Sequence, residues 1–285
     1  MTVWNLGSVN ADMVFRVPHM PAPGETLSAT GYQKGLGGKG ANMSVAATRA
    51  GSHVEHIGAV GEDGLWMKER LAGYGVGTTH LAELPGPTGQ AIIYLDAEGE
   101  NQIVLLAGSN TEISEAAIAS ALEGARAGDI AVFQNETNGQ QAFARAVKAR
   151  GLRLAYAAAP FDAAAVAAVL DQLDILVMNE VEARQLQDAT GLAPEALPVA
   201  EVLVTLGAKG CRRFDTVSGQ VQDVPAPKVT PVDTTGAGDT FTGYLLAGLD
   251  QGLSMEEAIT LAQKAAAVMV TRLGTADVIP TRAEI

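Results

Sequence analysis

Read for its hydrophobic and polar positions, the chain has two textures. From about residue 114 onward, short apolar runs alternate with stretches of helical periodicity. Glu115–Arg126, Gly139–Arg150 and Ala163–Leu170 read as helices; Ile130–Gln134, Leu152–Ala157 and Ile175–Met178 read as strands. Such alternation predicts βαβ units and a largely parallel sheet. Further on, Val202–Leu206 reads as a strand, Arg212–Asp215 and Gln220–Val224 as a hairpin, and Met255–Arg272 as a long helix. The first part of the chain is different. Val3–Gly7 and His53–Val60 are apolar enough for buried strands and Asp63–Gly73 for a helix, but Thr88–Asp96 and Asn101–Leu106 are β-rich runs joined by Ala97-Glu98-Gly99-Glu100, which predicts a hairpin. Together with extended segments at 10–17 and 28–36, the runs 88–96 and 101–106 predict a small second sheet, a flap able to shut water out of a site. No linker, repeat or low-complexity run divides residues 1–285, which read as one domain.

Periodicity also locates the most informative stretch, Val232 to Gly243. Phe241, Leu245, Leu246 and Leu249 recur at near-helical spacing, and Gly236-Ala237-Gly238-Asp239 stands immediately before them. A glycine turn opening a helix presents free N–H groups and the positive end of the helix dipole, which makes an anion site. Asp239 would repel a simple anion there. It makes sense if the anion is a transferring phosphoryl group and the carboxylate takes the proton from the accepting hydroxyl. A helix cap is the alternative for the same residue.

Composition narrows the partners. The net charge of −13 lacks the basic face that nucleic acid demands, and 47% hydrophobic residues provide a sizeable core. The single cysteine, Cys211, excludes an internal disulfide and suits a cytoplasmic setting. No apolar run is long enough to predict a membrane span, and no signal peptide is expected. The four histidines show no zinc-binding spacing.

Polar residues collect just after predicted strands, where open α/β sheets bind ligands: Asn10-Ala11-Asp12, Gln134-Asn135-Glu136 and Asn179-Glu180-Val181-Glu182. Turn formation explains the first equally well, and helix-start acids the last. Gly35-Leu36-Gly37-Gly38-Lys39-Gly40-Ala41-Asn42 opens a helix running to about Ala50. Ala59-Val60-Gly61 occupies the place where a dinucleotide fingerprint expects an acidic residue, and Lys39 is followed by Gly40 rather than Ser or Thr, so the Walker A pattern fails. What remains is a glycine-rich helix start with a cation and an amide side chain, donors suited to sugar hydroxyls. Gly207-Ala208-Lys209-Gly210 is permissive enough to lie against a flat base.

The blocks Gly7–Asp12, Pro23–Thr26, Gly37–Asn42, Asn179–Glu182 and Asp233–Phe241 stand in the order found in the ribokinase-like carbohydrate kinases, and from Gly7 to about Pro280 the chain resembles this PfkB family. The resemblance implies a three-layer α/β/α sandwich around the parallel sheet with a β lid, and transfer of the ATP γ-phosphate to a sugar hydroxyl. The leading acceptor is the 5-hydroxyl of D-ribose; another sugar, a sugar acid or a nucleoside is the alternative, and a non-catalytic sensor a more distant one. It implies sugar contacts at Asn10, Asp12, Gly38, Lys39, Asn42 and Glu136, a base at Asp239 that also touches the sugar, and an anion hole at Gly236, Ala237 and Gly238. Asn179 and Glu182 match the part that organises magnesium and phosphate, and Thr205, Gly207, Lys209, Gly210, Gly238 and Gln263 fall at nucleotide positions. Asp233 and Thr235, with carbonyls at Met269, Arg272 and Gly274, match a potassium site, although Val278 replaces a hydroxyl usual there; at the nucleotide, Gln263 replaces a usual asparagine. The apolar face of a small flap further predicts a homodimer through the lid.

Overall fold

The computed structural model describes residues 1–285. Its first half contains β1 (Thr2–Leu6), β2 (Asn10–Arg16), β3 (Gly31–Gly37), α1 (Lys39–Arg49), β4 (His53–Gly61), α2 (Leu65–Gly73), β5 (Leu81–Leu84), β6 (Gly89–Leu95), β7 (Asn101–Leu106) and α3 (Glu115–Ala121). Then come β8 (Ile130–Phe133), α4 (Gln140–Ala149), β9 (Arg153–Ala157), α5 (Ala163–Ala167), β10 (Ile175–Asn179), α6 (Glu180–Thr190) and β11 (Glu201–Thr205). The chain ends with the hairpin β12 (Cys211–Asp215) and β13 (Gln220–Val224), followed by α7 (Ala237–Asp250) and α8 (Met255–Met269).

Nine strands form the large sheet in the order β13-β12-β11-β10-β9-β8-β1-β4-β5. From β11 to β5 every pairing is parallel; β12 and β13 close one edge antiparallel. Strand periodicity builds the three layers. Val3, Val54, Ile130, Val132, Ala155, Val177 and Leu203 point into one core with residues of α1, α2, α7 and α8. Their alternating neighbours Trp4, Leu6, Ile57, Phe133, Leu154, Leu176 and Val202 point into the other, with residues of α3, α4, α5 and α6. Each sheet face is therefore apolar and covered, as a parallel sheet requires.

The sheet grows in one direction from β1 through β4 to β5, and in the other from β1 through β8. Helices diverge at such a reversal and leave a crevice beyond the strand ends. The small sheet, ordered β3-β2-β6-β7, rises from this place because β2 follows β1 after three residues, Gly7–Val9. Its β2–β6 pairing is parallel and its other two are antiparallel.

Several boundaries differ from expectation. The helix expected to reach Arg126 ends at Ala121 and tightens into a 3₁₀ turn at Leu122–Gly124, and that expected to reach Leu170 ends at Ala167. The helix expected to reach Arg272 ends at Met269, before a loop anchored by side chains from elsewhere. The second segment of the small sheet pairs only from Gly31, and the four-residue strand β5 was not expected, being too short to show a periodicity. Helix α7 is buried all round from Asp239 to Asp250, wedged between α1 and α8, rather than along one face. No helix is long and apolar enough to cross a membrane.

Candidate active site

The site begins where β1 meets α1. A Cβ on Gly40 would lie 2.3 Å from Gly7 Cα and 2.4 Å from Ser8 N, so the helix start crosses the strand end backbone against backbone. A buried hydrogen-bond chain fixes that crossing. Gln134 Nε2 donates to Asn5 Oδ1 at 2.9 Å, and Asn5 Nδ2 donates to Gly40 O at 2.8 Å and to Ser44 Oγ at 2.9 Å. Ser44 Oγ meets His56 Nδ1 at 2.8 Å, and His56 Nε2 meets the Gly7 carbonyl at 3.0 Å. A carbonyl can only accept, so Nε2 carries the proton and Nδ1 accepts from the serine. Complete burial pushes His56 down to about 4, which keeps it neutral in this role.

The same crossing seats Glu136, from the end of β8, at the N-terminus of α1. Its Oε2 accepts from Ser8 Oγ at 2.5 Å and from Lys39 N at 3.1 Å, and Ser8 Oγ in turn accepts from Gly40 N at 3.2 Å. A carboxylate suits this positive helix end. Asn10 is held by Asn110, whose Nδ2 donates to Asn10 Oδ1 at 2.7 Å and whose Oδ1 accepts from Val9 N at 2.9 Å. The carboxyl group of Asp12 lies over Gly37, where any Cβ would come within 2.2 Å of it.

Helix α7 brings the second half of the site. Its N-cap, Gly236, has φ 74°, a left-handed conformation open to glycine at little cost. The N–H groups of Gly236, Gly238 and Asp239 have no partner within the chain, whereas Ala237 N donates to Thr234 O at 3.2 Å. The outward-facing set is thus narrower than the full run 236–239 expected from the sequence. Asp239 is buried in the first turn, and its Oδ2 accepts from Asn42 Nδ2 at 2.9 Å. Asn42 Oδ1 is buried with no partner, an acceptor awaiting a donor.

Four carboxylates act on the single cation Lys39. Burial opposes its charge, but Asp239, Glu136, Glu182 and Asp12 outweigh that and hold the ammonium above its usual value. Asp12 is pushed up to about 7, first by burial and then by Glu136 and Asp239, against the hydrogen bond from Thr275 and the charge of Lys39. Burial also raises Asp239, opposed by Lys39 and Asn42, and raises Glu182, opposed by the Asn179 N–H and Lys39. A cluster this rich in acid stores unfavourable energy, the mark of a site arranged for chemistry or ligand binding.

Beside the α7 turn is a cavity of about 340 Å³ lined by Thr205, Gly207, Ala208 and Gly210 on one side and by Gly238, Phe241 and Gln263 on the other. Its mostly apolar lining ends at the free N–H groups, a shape suited to a flat base with an anionic tail. Lys209 does not line it; Lys228, which the sequence reading did not single out, does. Asn179 and Glu182 form a reciprocal cap on α6, with Asn179 Oδ1 accepting from Val181 N and Glu182 N and Glu182 Oε2 accepting from Asn179 N at 2.7 Å. Both oxygens of Asp233 accept backbone N–H groups, from Thr235 at 2.9 Å and Gly274 at 3.2 Å, and Met269 O accepts from Arg272 N at 2.9 Å. Ser8, Asn110 and Thr275 also support the site without having been marked in advance. Their partners lie 101 residues away for Asn110 to Val9, 128 for Ser8 to Glu136 and 263 for Thr275 to Asp12, so no local signal could reveal them.

Comparison with known proteins agrees with this arrangement. The pfkB family of carbohydrate kinases matches residues 2–282. A ribokinase from Haemophilus influenzae is 37% identical, the alignment covering 99% of this chain and 96% of that protein. The crystal structure of a ribokinase from Thermotoga maritima superposes with a TM-score of 0.90 at 30% identity, covering 100% of this chain and 97% of that one. The Arabidopsis thaliana ribokinase complexed with ribose and ATP gives a TM-score of 0.84, also at 30% identity, over 99% of this chain and 96% of that one. With the fold, the crevice and the sequence in agreement over nearly its whole length, the chain belongs to the pfkB family of carbohydrate kinases.

Proposed function

We propose that this kinase transfers the γ-phosphoryl group of ATP to the 5-hydroxyl of D-ribose. One observation carries the reading: the buried carboxylate of Asp239 stands in the same helical turn as the unpartnered N–H groups, and Asn42 ties it to the helix that bears Lys39. Asn10, Asp12, Glu136, Lys39 and the unpaired Asn42 Oδ1 receive the sugar hydroxyls. Asp239 takes the proton of the attacking hydroxyl, and the N–H groups of Gly236, Gly238 and Asp239 stabilise charge gathering on the phosphoryl oxygens. The neighbouring cavity holds the base, with Gln263 as its buried polar side chain. A sensor on the same fold would gain nothing from keeping a destabilised acid in the anion site.

No group of three Asp, Glu, His or Cys side chains is placed to hold a metal ion by itself. This suits magnesium, which keeps water and phosphate ligands; when bound with the triphosphate it neutralises phosphate charge, and Glu182 is the nearby acid that would face its waters. A monovalent ion fits as a brace of the Asp233–Gly274 junction, using carbonyls of Thr235, Met269, Arg272 and Gly274. The small sheet acts as the lid of a single domain, and a cytoplasmic setting provides the ATP.

The test is a coupled ADP-release assay with ATP against ribose, fructose, ketodeoxygluconate and nucleosides, with and without potassium. Ribose is expected to give the highest kcat/KM; turnover of a nucleoside in preference to every sugar overturns the assignment. The KM for ribose should also depend on pH. Asp12 is the stronger acceptor of hydroxyl hydrogen bonds when ionised, and its pKa of about 7 means that the fraction ionised rises about tenfold from pH 6 to pH 8. KM is therefore expected to fall across that range, by up to about that factor, and a flat profile counts against Asp12 as an acceptor.

The lid also supports a proposed homodimer. On β7, Ile103, Val104, Leu105 and Leu106 are all exposed, as is Tyr32 on the opposite edge strand. Apolar residues on both faces of an edge strand invite a second copy. Light scattering at micromolar concentration should give twice the chain mass, and Val104→Lys with Leu105→Glu should halve it; a monomeric wild-type protein removes the proposal.

A further inference from the structure

The loop after α8 reaches the site from a distant part of the chain. Its Thr275 Oγ1 lies 3.0 Å from the Leu36 carbonyl and 3.3 Å from Asp12 Oδ2. Both acceptors belong to the root of the small sheet, Asp12 in β2 and Leu36 in β3, on strands in direct register. One residue earlier, Gly274 N donates to Asp233 Oδ2, while Asp233 Oδ1 holds Thr235 N beside the Gly236 turn that opens α7. One short loop therefore touches the sugar carboxylate, the lid root and the anion-binding turn.

The loop is also firmly held. Asp277 Oδ1 accepts from Arg70 Nε at 2.9 Å and from the Tyr74 hydroxyl, which fastens it to α2 and the residue after it. Arg49, at the end of α1, donates to the carbonyls of Asp277 and Ile279, and Arg272 donates to Val278 O at 3.1 Å. Clamped on that side, the loop fixes the Thr275 hydroxyl so that its one hydrogen is shared between the Leu36 carbonyl and the Asp12 carboxylate. A free loop would make the same contact only transiently, because ordering it would cost more entropy than one hydrogen bond returns.

We propose that Thr275 is a positioning residue: its hydroxyl sets the Asp12 carboxylate and the lid root for the sugar, and joins them through Gly274 and Asp233 to the anion-binding turn. The proposal rests on the sugar-kinase reading of the site. It assigns Thr275 no contact with the reacting atoms. Its consequence is a selective effect on sugar capture, since Asp12 belongs to the sugar subsite while Asp239 and the base cavity are held by other contacts.

Thr275→Val keeps the branched shape and removes the hydroxyl; Thr275→Ser keeps the hydroxyl. Hydrogen bonds to charged groups have a strength that corresponds to roughly a 10- to 100-fold change in affinity. Thr275→Val is therefore expected to raise the KM for the sugar, and its Kd by calorimetry without nucleotide, by about 10-fold or more. Its kcat and KM for ATP should stay within about threefold of the wild type, and Thr275→Ser should restore sugar binding. A Thr275→Val protein with wild-type sugar KM overturns the role. So does one in which kcat, both KM values and the melting temperature all decline together without rescue by serine, since that marks simple structural damage. If the wild-type protein itself neither binds nor phosphorylates any sugar, the kinase reading fails instead.

Discussion

Asp239→Asn is expected to lower kcat by roughly 10²- to 10⁴-fold, the usual contribution of a positioned acid or base. Sugar binding should survive, because the Asn42 Nδ2 hydrogen bond that Asp239 Oδ2 accepts can be accepted equally by an amide oxygen. Stability should not fall. Burial raises the pKa of Asp239 above its ordinary value, so between the unfolded and folded pKa the native state binds more proton than the unfolded state. Stability from this group is then lost as pH rises, and at neutral pH the ionised acid is a net cost that an uncharged amide removes. The informative outcome is the pair of results: a crippled enzyme whose melting temperature at pH 7 equals or exceeds that of the wild type. An Asn variant that turns over normally would dismiss Asp239 as the proton acceptor, and one that unfolds easily would dismiss the argument about burial.

Gly40→Ala is expected to damage fold and site together. The added methyl would stand 2.3 Å from Gly7 Cα and 2.4 Å from both Gly7 C and Ser8 N, and these are backbone atoms with no rotamer to give way. Helix α1 must move off β1, which stretches the bonds from Asn5 Nδ2 to Gly40 O and from Gly40 N to Ser8 Oγ. Overpacking of this kind costs about 1–3 kcal/mol, a fall of roughly 2–10 °C in melting temperature for a chain of this size. Since Lys39 and Asn42 ride on the same turn, sugar KM should rise at least tenfold. Gly73→Ala is the control: it too lies in the terminal turn of a helix, at the end of α2, but its Cβ would meet nothing within 4 Å. Equal melting temperatures for the two variants would show that the close crossing is not what seats α1.

These expectations separate what a linear reading can reach from what it cannot. The carboxylate in the glycine turn was legible because its chemistry is local: two glycines, an acid and a helix period within a few residues. The cost of that carboxylate was not, because it comes from burial between α1 and α8 and from Glu136, which stands 103 positions earlier (239 − 136). Likewise the glycine-rich start of α1 was visible, but only the packed structure shows that Gly40 is required by contact with Gly7 rather than by a turn. His56 read as part of a strand and nothing more; its neighbours in space make it the fixed end of the chain of hydrogen bonds that seats α1.

Alone, the sequence determined the alternation of strands and helices, a largely parallel sheet, a separate β flap and the blocks of polar residues at strand ends. All of these follow from periodicity and turn chemistry, which act over one or two turns of chain. Tertiary structure alone decided which N–H groups of the α7 turn remain free, that Lys228 rather than Lys209 lines the cavity beside that turn, that β2 pairs parallel with β6, and that Thr275 meets Asp12. Each depends on segments distant in sequence arriving at one place, and the energies that bring them together are sums over the whole core, which no local pattern records.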